Sequence, residues 1–83
     1  MLFGKEYLYV CYETEVMDRG TSCLVFSKIL YEVMGKHCVI EPVENFIFIY
    51  VKLTKKEHRN LEACLDIWRS ANDMKLGVKC ITD

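Results

Sequence analysis

The chain predicts an α+β protein in the order strand, helix, strand, strand, helix, strand, with one four-stranded antiparallel sheet and both helices on one of its faces. Three observations predict it. Segments 7–12 and 46–53 alternate like strands and are apolar on both faces, as strands in the middle of a sheet are. Two stretches, 21–34 and 54–71, carry apolar residues at helical spacing between capping residues. Pro42 stands in a short strand-like run, and a residue that cannot donate a ladder hydrogen bond belongs at a sheet edge.

The first strand is read over residues 5–15, rich in Tyr and Val before it fades into Glu13-Thr14-Glu15. Residues 17–21 read as a loop, and Thr21 or Ser22 as the N-cap of the first helix, because a hydroxyl accepts from an orphan backbone N–H. Phe26, Ile29, Leu30 and Val33 form its apolar stripe, and Gly35 suits a left-handed C-terminal cap. A shorter strand follows over 37–43, a tight turn at Glu44-Asn45, and the third strand over 46–53. Thr54 and Glu57 make a capping box for the second helix. Leu61, Cys64, Leu65 and Trp68 are its buried stripe, with Ile67 and Ala71 flanking, and Asn72-Asp73 ends it. Residues 76–81 read as the last strand, either paired within the chain or swapped into a second copy. Trp68 is expected as a core anchor against Ile47, Ile49 and Leu8.

Eighty-three residues make a single domain, 1–83, with a small core. A hydrophobic share of 52% argues against disorder and for an apolar interface, since so small a body cannot bury it all. The net charge of −1 lacks the basic excess with which nucleic-acid binders neutralise phosphates. No run of apolar residues is long enough to span a membrane, and the opening residues do not resemble a signal peptide, so a cytoplasmic location is expected, host cytoplasm if the chain is viral. The five cysteines, Cys11, Cys23, Cys38, Cys64 and Cys80, show no Cys-x-x-Cys pair and read as buried, reduced thiols.

No catalytic, cofactor or metal signature emerges. His37 and Cys38 are strand neighbours on opposite faces, and His58 and Cys64 do not share a helix face, so no metal site is expected. Cys23, read in the first turn of a helix, is the one candidate reactive thiol. Lys52, Lys55, Lys56 and Arg59, with His58 among them, form a candidate basic patch, offset by Glu57 and Glu62. The expected partner-binding residues are Tyr7, Tyr9, Phe46, Phe48 and Tyr50, taken as one open aromatic sheet face.

This arrangement resembles the ferredoxin-like fold and, within it, the RNA-recognition-motif family. Leu8-Tyr9-Val10 resembles the aliphatic-aromatic-aliphatic opening of that family's first-strand motif, and Phe46, Phe48 and Tyr50 resemble its aromatic third-strand positions. By that resemblance Tyr9, Phe46 and Phe48 would stack on bases. Glu44 and Asn45 stand where the family carries a basic residue and a Gly. The acylphosphatases share the fold and bind phosphate after the first strand, where this chain has Asp18-Arg19-Gly20-Thr21-Ser22 without their Gly-rich signature.

The expectation is a small non-enzymatic protein-binding module that grips a protein partner or a second copy through its aromatic face. An inhibitor or adaptor, of the compact kind bacteriophages direct at host enzymes or defences, fits the size. The alternative is RNA or single-stranded nucleic-acid binding by the same face.

Overall fold

A computed structural model describes residues 4–71 and 75–82. Its elements are β1 (Lys5–Cys11), α1 (Arg19–Met34), β2 (Val39–Val43), β3 (Phe46–Leu53), α2 (Lys55–Ala71) and β4 (Val78–Cys80). The strands form one antiparallel sheet in the order β2-β3-β1-β4, which is the ferredoxin-like arrangement. The two strands that are apolar on both faces are the central pair. β2, which carries Pro42, lies at one edge, and β4 pairs with β1 of its own chain at the other.

Local chemistry fixes most element ends. Gly35 takes φ 64°, and the N–H groups of Gly35 and Lys36 donate to the carbonyls of Tyr31 and Leu30, closing the last turn of α1. Glu44, in the two-residue β2–β3 turn, also has positive φ (52°), and Arg19 Nη1 donates to its carbonyl at 2.6 Å. The N-cap of α1 differs from the expectation. Asp18, not Thr21 or Ser22, holds it, accepting from the Thr21 N–H at 2.7 Å and starting the helix at Arg19. Residues 12–15 leave the sheet after Cys11, and Thr14 organises a turn through Met17. Asn72 and Asp73, expected to end α2, lie outside the described residues.

The capping box of α2 forms as expected. The Thr54 N–H donates to Glu57 Oε1 at 2.9 Å, the Glu57 N–H donates to Thr54 Oγ1 at 3.2 Å, and Lys36 Nζ lies 3.3 Å from the carboxylate. The Thr54 N–H first, then Lys36, holds the Glu57 carboxyl below its usual range. A carboxyl depressed in the folded chain stabilises the fold above the unfolded carboxylate range. That contribution is lost as pH falls through the folded value. Thermal melts between neutral and acid pH are therefore expected to show a steeper acid loss in the wild type than in Glu57→Gln. Equal slopes would contradict this cap.

The core lies between the sheet and the helices. Tyr7, Tyr9 and Cys11 of β1 and Ile49, Val51 and Leu53 of β3 face inward, against Cys23, Phe26, Ile29 and Leu30 of α1 and Leu61 and Leu65 of α2. Val33, expected in the buried stripe of α1, and Ile67, expected to flank that of α2, are 59% and 67% exposed; Met34 packs against the core at the end of α1. Trp68 is half-buried and packs on the core from α2, beside Val25 and Ile29 of α1. It does not meet Leu8, which lies on the other side of the sheet.

β4 is locked to its neighbour beyond its three residues. The Tyr12 N–H donates to the Gly77 carbonyl, Ile81 N–H to Leu8, and Leu8 N–H to Thr82 Oγ1, all between 2.8 and 2.9 Å. Ser22, fully buried, accepts from the Gly77 N–H at 3.3 Å. Arg69 Nη2 ties α2 to this edge through the Val78 carbonyl at 2.6 Å.

Candidate functional site: the open sheet face and the helix-side polar cluster

Strand register decides which side chains share a face. Tyr7 is opposite Val51, Tyr9 opposite Ile49 and Cys11 opposite Ile47, all on the helix side. Leu8 is opposite Tyr50 and Val10 opposite Phe48, on the open side. The five residues expected to form one aromatic face are therefore split. Phe46, Phe48 and Tyr50 lie on the open face, with Phe46 46% exposed. Tyr7 and Tyr9 are 3% and 0% exposed, inside the core. The reason is parity: both alternating sets of β1 are apolar, and the buried set is the one opposite Ile49 and Val51.

What covers the middle of the open face is Leu8, Val10, Phe48 and Tyr50, continued toward the β2 edge by Val39, Val43 and Phe46. Val39 is opposite Tyr50, and it is 66% exposed. The charged side chains of the same face are Glu6, Glu41, Lys52 and Lys79. Glu6 stands directly opposite Lys52, Lys79 opposite Val10 and Glu41 opposite Phe48, and Tyr50 Oη donates to Glu41 Oε1 at 3.3 Å. An apolar centre thus carries two acids and two lysines around it, with no excess of either sign.

The expected basic patch divides as well. Lys55, Lys56 and Arg59 line a shallow groove at one end of the sheet, together with Lys5, whose Nζ sits 5.0 Å from the Tyr7 ring centroid. Lys52 is exposed on the open face instead. Between Asp18 and Ser22, the carboxylate of Asp18 occupies the helix N-terminus and Arg19 is engaged with Glu44, so the anion-binding role of that loop gains nothing from the structure.

The cysteines are all free. Cys11 and Cys23 are buried; Cys38, Cys64 and Cys80 are half-buried. With Asp18 as the cap, Cys23 falls in the second turn of α1, outside the reach of the first-turn dipole, and burial raises its thiol pKa rather than lowering it. Burial first, then Cys23, pushes the Cys11 thiol up to about 12. Both shifts run opposite to the lowering that activates a thiol.

A second constellation was not expected from the sequence. His58 and Glu62 of α2 and Cys80 of β4 each place one donor atom within 4.8 Å of the other two, and all three residues are half-buried. The Tyr9 hydroxyl reaches the same place, 2.7 Å from His58 Nδ1. The His58 ring lies between two tyrosines, stacked on Tyr7 (centroids 4.2 Å apart, 10° between planes) and tilted to Tyr9 (6.1 Å, 45°). Burial first, then Cys80 and Glu62, raises the Tyr9 phenol and keeps it protonated. The sequence signal for the first two residues is the His-x-x-x-Glu spacing, which puts them on one helix face. Cys80 joins only because β4 pairs with β1 through Tyr9 and Cys80.

The structure defines the class as a ferredoxin-like α+β protein. Compared with protein-family models, curated proteins and solved structures, the chain matches none, so no family match supports the resemblance to the RNA-recognition motif. No helix among the described residues is long and apolar enough to cross a membrane.

Proposed function

We propose that this chain is a protein-binding module whose open sheet face associates with a second copy of itself. The observation that carries this reading is an open face with an apolar centre and balanced charge around it. Leu8, Val10, Phe48 and Tyr50 make an apolar centre, and Glu6, Glu41, Lys52 and Lys79 border it in equal numbers of each sign. A two-fold partner brings the same surface back upon itself, so the centre meets an apolar centre and lysines have carboxylates to meet. A nucleic acid would meet two carboxylates for every two lysines on that face, and the first-strand position expected to stack on a base, Tyr9, is buried on the other side.

Phe48→Glu tests it. Phe48 is only half-buried within one chain, so the variant is expected to keep its far-ultraviolet circular dichroism and melt cooperatively while eluting as a monomer in size exclusion with light scattering. Leu24→Glu, on an α1 residue that is 70% exposed, is expected to leave the wild-type dimer intact. A wild type that is monomeric at high concentration, or a dimer indifferent to Phe48→Glu, would sink the proposal. Salt-sensitive binding of single-stranded RNA by the wild type would favour the nucleic-acid alternative.

A further inference from the structure

We propose that His58, Glu62 and Cys80 form a binding site for a divalent transition metal of the zinc type. It lies on the helix side of the sheet and is independent of the open-face association. The chemistry of the donors selects the ion. Imidazole, carboxylate and thiolate together suit a borderline-soft cation, whereas magnesium and calcium call for oxygen ligands alone. A tetrahedral zinc with ligands at its usual distances brings neighbouring donors to about 3.5 Å from one another. The three donor atoms already stand within 4.8 Å of one another, so rotamer adjustments of about 1 Å close the site.

Geometry supplies what a metal site needs beyond donors. His58 and Glu62 are four residues apart on one helix face, fixed relative to each other by α2 itself. The Tyr7 ring stacks on the imidazole and the Tyr9 hydroxyl engages Nδ1 at 2.7 Å, which makes it the kind of outer partner that fixes a ligating histidine when Nε2 takes the ion. Cys80 comes from β4, which is anchored at both ends by backbone hydrogen bonds to residues 8 and 12. Binding converts the Cys80 thiol to thiolate, releases its proton to the buffer, and ends the S–H donation to the Thr82 carbonyl. Three protein ligands leave the fourth position to water. The ion would also join the terminal strand to α2, coupling that edge of the sheet to the helix layer.

The test is titration of the reduced, chelator-treated protein with Co2+, followed by displacement with Zn2+. A thiolate-to-cobalt charge-transfer band is expected, saturating at one ion per chain and bleached by Zn2+, with a higher melting temperature in the metal-loaded protein. Cys80→Ser removes the thiolate and is expected to abolish that band. Glu62→Gln is expected to weaken binding at least about 10-fold, the lower range for loss of even an outer-shell partner. Cys64→Ser, whose thiol is outside the cluster, is expected to bind as the wild type does. Melts of each metal-free variant separate loss of the site from loss of the fold. The proposal is overturned if folded wild type shows no such band at millimolar Co2+, or if Cys80→Ser or Glu62→Gln binds Co2+ with wild-type affinity.

Discussion

Tyr9→Ala is expected to lower the stability of the protein by about 3–5 kcal/mol, the range for emptying a buried aromatic site. Tyr9 has no exposed surface, and its ring lies 4.8 Å from that of Phe26 at a 48° tilt, so α1 rests on it directly. Truncation leaves a cavity between the sheet and α1. It also leaves His58 Nδ1 without its hydroxyl partner at 2.7 Å. A domain's total stability is roughly 5–15 kcal/mol, so this one change removes a large share of it. Tyr9→Phe keeps the ring, and its expected cost is about 1 kcal/mol, that of one hydrogen bond. Leu8→Ala, one residue away on the open face, is expected to cost less than Tyr9→Ala because Leu8 is only half-buried. Urea denaturation of the three variants measures all three values. Wild-type stability in Tyr9→Ala would mean that β1 presents its other face to the core.

Gly77→Ala is expected to cost about 3 kcal/mol or more, above the usual range for a tolerated overpacking change. The segment before β4 passes so close to the end of β1 that a Cβ at position 77 would collide with the Tyr12 carbonyl oxygen, and would also stand 3.1 Å from Ser22 Oγ and Thr14 Cγ2. The first of these is backbone and cannot rotate away. Relief requires β4 to move off β1, which breaks the Tyr12 to Gly77 and Gly77 to Ser22 hydrogen bonds together. Gly35→Ala makes the comparison. Nothing lies within 4 Å of a Cβ there, and only the left-handed φ of 64° opposes the change, at a cost of about 1 kcal/mol. Thermal melts that rank Gly35→Ala as the more damaging change would contradict the close approach at residue 77.

Much of the fold is legible in local chemistry. The Thr54–Glu57 box, the Gly35 cap, the Pro42 edge and the bounds of β3 each follow from one or two residues, and each stands where the sequence puts it. The inward face of β1 is not legible in that way. Leu8 and Val10 read as core residues at least as well as Tyr7 and Tyr9, and hydropathy alone favours the wrong set. What reverses the choice is tertiary: Tyr9 can be buried because His58, delivered by α2, gives its hydroxyl a hydrogen-bond partner. The His58–Glu62–Cys80 cluster escapes a reading by spacing because one member arrives through the pairing of the last strand. The cap of α1 escapes for a smaller reason. Asp18, Thr21 and Ser22 are all competent caps, and the turn built by Thr14 and Met17 selects the first of them.

The most direct measurement of the open-face association is an isotope-filtered nuclear Overhauser experiment on a mixture of labelled and unlabelled protein, which sees only contacts between copies. Self-association through this face predicts intermolecular cross-peaks from the Phe48 and Tyr50 rings to the methyl groups of Leu8, Val10 and Val39. Intermolecular contacts confined to helix-side residues such as Leu24 and Val33, or none at concentrations where the protein is intact, would contradict it.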